Sequence, residues 1–353
     1  MLVVIFGAGA SNDARRSGYR DDVRPPLTYR LVSSEFDRYW SREYRGAANL
    51  IHWVRERVEA GSALEAALQE YVEDAARYRE FLSHMMAFRY FVQALFRDRT
   101  LRFGSDLDDG TTAYLRLVSR LERWRRDSNT QILYISFNYD TLLEEGLTSY
   151  LTRPFESVAK YLHRDRAVIK VHGSDNWGQE VRRSDGVELT GAGPNTIIEA
   201  AEDGLDPLPG FHVLANINQV QMPNGAYVAP AVAIPIAAKD DTSWACPVEH
   251  LERMRQDLSR AWSVLAIGWK GQEPHFVKEL NDRLPEYTPI TVVTRPAPEG
   301  EPIETTGRQV ELPWLADRSD LLMRCRVLRT GFFDFVEGGR LDEFLKGVPG
   351  PHG

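Results

Sequence analysis

Four short stretches of this chain close apolar runs with residues that can do chemistry: Gly7-Ala8-Gly9-Ala10-Ser11, Asn138-Tyr139-Asp140, His172-Gly173-Ser174 and Gly268-Trp269-Lys270. Two glycines one residue apart let backbone N–H groups approach a diphosphate closely. An amide such as Asn138 can hydrogen-bond ribose hydroxyls or orient a water, and an imidazole such as His172 can accept a proton near neutral pH. Each stretch also has a plainer reading. The glycines can form a tight turn with no ligand, Asn138 can be a turn residue, Asp140 a helix N-cap, His172 a satisfied core histidine and Gly268 a simple turn.

The runs that precede these stretches decide how they should be placed. Residues 2–6, 131–137, 167–171 and 263–267 are short, apolar and rich in β-branched or aromatic side chains, which suits parallel strands covered on both faces. Carboxyl ends of parallel strands share one sheet edge, so the four turns are expected to meet at one crevice. Residues 12–26 are polar and broken, and read either as a loop covering a cofactor or as a surface excursion. Thr28 stands where it would N-cap a helix over residues 29–40. Residues 47–127 repeat apolar side chains at spacings of three and four, as at Leu50, Trp53, Val54 and Val58, so they read as an amphipathic bundle. Its Met85, Phe88 and Phe91 read as core. A turn-rich break is expected over 97–109, with a last helix over 111–124. The expected fold class is therefore α/β: a Rossmann-like parallel sheet with a large all-helical insertion after the first strand. Residues 1–27 and 128–353 would form the discontinuous nucleotide-binding domain, and residues 28–127 the insertion.

Beyond the second strand, Thr141 to Glu144 fit a capping box opening a helix to about residue 150. Residues 178–226 read as loop-rich or as a small β segment. Strands are expected over 227–236, 289–294, 308–312 and 326–328, and helices over 247–262, 274–283, 317–324 and 333–345.

The 353 residues, 43% hydrophobic and 27% charged, suffice for one large α/β domain with an insertion or for two domains sharing a core. A net charge of −8 argues against a surface that holds nucleic acid directly. Cys246 and Cys325 stand far apart with no ligand spacing around them, which supports neither a disulfide framework nor a zinc site and suits a reducing cytoplasm. No basic region precedes residues 2–10, and no run reaches the roughly 20 apolar residues that span a bilayer. A soluble, cytoplasmic protein without a membrane partner is expected.

Taken in order, Gly7-Ala8-Gly9-Ala10-Ser11, Phe137-Asn138-Tyr139-Asp140, Lys170-Val171-His172-Gly173-Ser174, Ile267-Gly268-Trp269 and Val292-Val293-Thr294 resemble the motif set of the sirtuin-like superfamily. More closely they resemble its bacterial antiphage branch, whose members degrade NAD. The resemblance covers residues 1–12 and 131–294, apart from the helical insertion. It implies that Asn138 and His172 serve cleavage of the nicotinamide–ribose bond, and that Gly7, Ala8, Gly9, Ser11, Asp140, Gly268 and Thr294 contact the dinucleotide. The deacylases of the superfamily carry a four-cysteine zinc module between the His motif and the later glycine motif, and this interval holds only Cys246, so no metal is expected. The implied function is an NAD+ glycohydrolase yielding nicotinamide and ADP-ribose, the NAD-depleting effector of a bacterial antiphage defence system. The alternatives are an NAD-dependent protein deacylase and a non-catalytic NAD or ADP-ribose sensor. NAD is then substrate. The expected partners are further copies in a homo-oligomer and a second defence protein, such as a DNA-translocating ATPase, a short Argonaute or another sensor.

Overall fold

In the computed structural model of the chain, the described residues are 1–15, 23–39, 44–75, 78–105, 112–152, 154–236, 244–307, 312, 314 and 318–348. Five consecutive apolar residues form β1 (Leu2–Phe6), fully buried, after which the chain turns at Gly7 into a short helix, α1 (Ala8–Asn12). Helices α2 (Gly46–Glu59), α3 (Leu64–Ala75) and α4 (Glu80–Ser105) follow. Thr112 then caps α5 (Ala113–Ser128) by accepting the Leu115 N–H at 3.1 Å, and α5 leads into β2 (Ile132–Ser136). Next come α6 (Leu142–Leu151), the hairpin β3 (Leu162–His163) and β4 (Arg166–Lys170), then β5 (Gly173–Arg183), α7 (Pro194–Ala200), β6 (Leu205–Val213) and β7 (Tyr227–Val232). The remainder is α8 (Val248–Leu258), β8 (Ser263–Ile267), α9 (Pro274–Arg283), β9 (Ile290–Val293), β10 (Glu304–Thr306), α10 (Ser319–Leu322), β11 (Cys325–Leu328), α11 (Phe332–Glu337) and α12 (Arg340–Gly347).

The fold is α/β. Among the described residues, eight strands in the order β10-β11-β9-β8-β1-β2-β4-β3 make the main sheet, parallel except where β10 and β3 close its edges antiparallel. β1 lies at the centre because it can bury every side chain on both faces. From β1 the chain builds outward to β2 and β4, then crosses to β8, β9 and β11, so the direction of winding reverses between β1 and β8. Open α/β sheets bind ligands outside the carboxyl ends at such a reversal. A second sheet, β6-β5-β7, is antiparallel; the β segment expected over 178–226 is part of it, but the sheet starts at Gly173 and ends at Val232.

Two buried clusters form the core. One fills the main sheet and includes Ala113, Tyr114, Leu117 and Leu121 of α5, which therefore packs against the sheet. The other joins α2, α3 and α4 to Val181, Ala229 and Val232 of the small sheet, with Phe88 and Phe91 fully buried in it. Among the described residues no helix is long and apolar enough to cross a membrane.

Several sequence expectations are corrected. Residues 29–40 do not start one helix capped by Thr28. Two 3-10 turns, Thr28–Arg30 and Ser34–Phe36, come first, with Ser33 in extended backbone between them, and α-helical backbone begins only at residue 37 and is described to residue 39. The break expected over 97–109 does not occur before Ser105. Its polar side chains find partners from a helical backbone: Arg102 pairs with Asp98 one turn away at 3.0 Å, and Thr100 donates to Asp175 at 2.8 Å. The terminal helix divides at Gly338-Gly339, where Gly339 takes a φ of +79° that interrupts the ladder. Of the strand expected over 308–312, residues 308–311 lie outside the described residues, and the strand observed beside β11 is β10. Residues 16–22 of the covering loop expected over 12–26 also lie outside them.

Candidate functional site

Register places the chemistry-bearing turns at one level. Phe6 aligns with Ser136 and Ile267, Ser136 with Lys170, and Ile267 with Val293. The next residues, Gly7, Phe137, Val171, Gly268 and Thr294, therefore all leave the sheet at its carboxyl edge. Gly7 and Gly9 meet Gly268 main chain to main chain: the Gly7 N–H donates to Ile267 O at 3.0 Å and the Gly9 N–H to Gly268 O at 3.1 Å. A Cβ on Gly7 would stand 2.6 Å from Gly268 O, and one on Gly268, whose φ is +60°, would stand 2.2 Å from Ala10 N. This packing alone requires glycine at positions 7 and 268, whatever they bind. Gly173 is equally constrained, since its Cβ would lie 1.7 Å from Ala231 O.

Asn138 points into a buried polar group that the sequence does not announce. Its Nδ2 donates to Ser11 Oγ at 2.8 Å and to Tyr114 Oη at 3.2 Å, while the Ser11 and Tyr114 hydroxyls bond each other at 2.9 Å. Tyr114 comes from α5, with its ring held against Phe6 and Phe332 at centroid distances of 5.3 and 5.1 Å. Burial raises its phenol pKa well above the ordinary value, so the hydroxyl stays protonated. The other edge of the amide, Asn138 Oδ1, is buried and has no hydrogen-bond partner among the described residues.

His172 is 7% exposed, and its ring stands edge-on to Phe137 at 5.2 Å and tilted over Tyr139 at 6.3 Å, the two neighbours of Asn138 in sequence. Phe137 in turn stacks on Trp269 at 5.5 Å, and Trp269 meets Phe276 and Trp314 at 5.4 and 4.8 Å. An aromatic layer thus floors this part of the edge, with Trp269 Nε1 donating to Glu273 at 2.7 Å. Thr294 follows β9 at the same sheet edge. Its hydroxyl donates to Arg295 O at 3.3 Å, and its carbonyl accepts the Gly331 N–H at 2.7 Å where α11 begins. Asp13, at the end of the glycine turn, accepts the Phe332 N–H there.

Asp140 is 3% exposed and serves as the cap of α6, its Oδ1 accepting the Leu142 N–H at 3.3 Å. The capping box expected at Thr141 is not formed, because Thr141 makes no cap bond with its side chain. Beneath this turn lies a charged cluster: Lys170 ion-pairs with Glu144 at 3.0 Å, and Asp175 lies 3.9 Å from Arg97. Burial raises the carboxyls of Asp140 and Glu144, with Lys170 pulling both back, and pushes Asp175 up to about 7 against Lys170 and Arg97. Among the described residues no group of His, Cys, Asp or Glu is arranged to hold a metal ion.

No protein-family model matches the sequence, and no curated protein matches it. Solved structures similar to the chain include a Sir2 homologue in complex with NAD, at 12% identity and a TM-score of 0.37, covering 98% of this chain and 90% of that one. Sir2Tm bound to a propionylated peptide aligns at 11% identity and a TM-score of 0.41, over 98% and 94% of the two chains. A Sir2 homologue mutant in complex with ADP-ribose aligns at 14% identity and 0.38, over 98% and 91%.

Proposed function

We propose that the chain is an NAD+ glycohydrolase and that it acts as the NAD-depleting effector of a bacterial antiphage system. The observation that supports this is the Asn138 amide, fixed by two hydroxyls on its donor edge and left with a buried, unpartnered acceptor at the sheet edge where the winding reverses. A ribose hydroxyl or the attacking water is the donor that such an acceptor lacks. In the reaction, water oxygen bonds to the ribose anomeric carbon as the bond to nicotinamide breaks. The bonding pair returns to the pyridine nitrogen, which loses its positive charge and needs no proton. The proton released by water passes to His172. Gly7, Ala8, Gly9, Ser11, Asp140, Gly268 and Thr294 would border the dinucleotide. An NADase must be restrained until needed, so the activity is assigned to an assembled or partner-bound state. The contacts of Phe96 in α4 with Tyr139 at 5.0 Å and of Arg97 with Thr141 at 3.5 Å support a role for the insertion in reporting that state.

The test measures nicotinamide release by the purified protein, alone and with the products of neighbouring genes, with and without an acylated peptide. Release without peptide, abolished in Asn138→Ala and His172→Ala, is the expected result. Release only with peptide would make the chain a deacylase, and tight NAD or ADP-ribose binding without release would make it a sensor.

A further inference from the structure

Lys170 closes strand β4 after the apolar Ala167-Val168-Ile169, two residues before His172, and it is fully buried. A buried ammonium is costly unless every proton is matched, and here each direction leads to the same turn. Lys170 Nζ donates to the carbonyl of Asp140 and, at 3.4 Å, to that of Tyr139, and it pairs with Glu144 in the first turn of α6. The Tyr139 carbonyl also accepts the Asp175 N–H at 2.7 Å and the Ser174 hydroxyl at 3.4 Å. The turn that carries Asn138 is therefore tied at its main-chain oxygens to the segment that carries His172, by the Lys170 and Ser174 side chains and by the Asp175 main chain.

We propose that Lys170 is a positioning residue that fixes Asn138 relative to His172 by clamping the carbonyls of Tyr139 and Asp140. The part of this proposal that concerns catalysis rests on the NAD-cleavage reading above. Glu144 neutralises the ammonium, and the clamp itself is the pair of carbonyl bonds. An apolar residue of equal length could fill the same volume without holding the turn.

The experiment compares Glu144→Gln, which keeps the lysine and its carbonyl bonds, with the double variant Lys170→Met/Glu144→Gln, which removes both charges. Amide hydrogen exchange is read over residues 137–142 and over the strands, beside melting temperature and the kcat and KM for NAD. The expected result in Glu144→Gln is a lower melting temperature, because the buried ammonium loses its counter-charge, with exchange over 137–142 rising no more than over the strands. The double variant should show at least tenfold faster exchange confined to 137–142 and a kcat lower by about 10²-fold, the scale of a 1 Å misplacement, with KM little changed. Ser174→Ala, which weakens the same carbonyl hub without touching the charges, should show a smaller effect of the same pattern and decides the matter if the double variant does not fold. Unchanged exchange in 137–142, or equal slowing of turnover in Glu144→Gln, overturns the proposal. A wild-type protein that never consumes NAD would instead sink the functional reading, because exchange reports the clamp without any turnover.

Discussion

Removing one hydroxyl, in Tyr114→Phe, separates the placement of Asn138 from the packing around it. The Tyr114 ring contacts Phe6 and Phe332, and phenylalanine keeps both. What disappears is the hydroxyl bonded to Ser11 at 2.9 Å and to Asn138 at 3.2 Å. Ser11 and Asn138 still hold each other at 2.8 Å, so neither becomes an orphaned buried group. The stability cost should then be that of an ordinary hydrogen bond, about 1 kcal/mol, and not the 1–3 kcal/mol of an unsatisfied one. For a chain of this size that is a fall in Tm of about 2 °C. The amide, however, loses one of the two partners that set its plane, and on the NAD-cleavage reading kcat should fall about tenfold, equivalent to about 1.4 kcal/mol in the transition state. NAD consumption and thermal unfolding measured on the same preparations give both numbers. Adding Ser11→Ala closes a double-mutant cycle, and the shared bonds predict an interaction of at least 0.5 kcal/mol. A normal kcat in Tyr114→Phe, or strict additivity with Ser11→Ala, would refute the claim that this group positions Asn138.

Other outcomes follow from the same geometry. Gly268→Ala should destabilise the protein by about 2–4 kcal/mol, since the new Cβ meets Ala10 N at a positive φ, and denaturant unfolding would expose the error if the loss were under 1 kcal/mol. The Asp175 carboxyl, pushed by burial up to about 7 from an unfolded value near 4, binds its proton more tightly in the native state. Its stabilising contribution is complete below about pH 4 and is lost as pH rises through about 7, so Asp175→Asn should flatten the fall in Tm between pH 5 and pH 8; parallel curves for the two proteins would contradict this. Elemental analysis should find no stoichiometric zinc, because Cys246 and Cys325 are each buried as separate thiols and a four-ligand site needs more.

Much of the fold could be read from residues whose local physics is decisive. The short runs at 2–6, 131–137, 167–171 and 263–267 had only one economical use, as strands buried on both faces, and parallel pairing then brought their ends to one edge. Gly268 and Gly173 were visible as turns for the same reason, since the residue type itself marks an unusual backbone. Other features depended on contacts distant in sequence. Nothing near Tyr114 marks it as the partner of Ser11, 103 residues away, because a tyrosine at helical spacing looks like any core aromatic until the helix is docked. Lys170 stood in plain view as a charge ending an apolar strand, but the carbonyls and the Glu144 carboxylate that receive it lie roughly 30 residues earlier in the chain, after β2. The polar run that continues α4 to Ser105 looked like a break because Asp175, the partner of Thr100, comes from β5, 75 residues further along the chain. Sequence by itself determined which segments must be buried and where the backbone must bend, since those depend on each residue's own surface and conformational range. Tertiary structure decided which polar groups share protons and charge, because a hydrogen bond depends on distances of about 3 Å that only the packed chain sets.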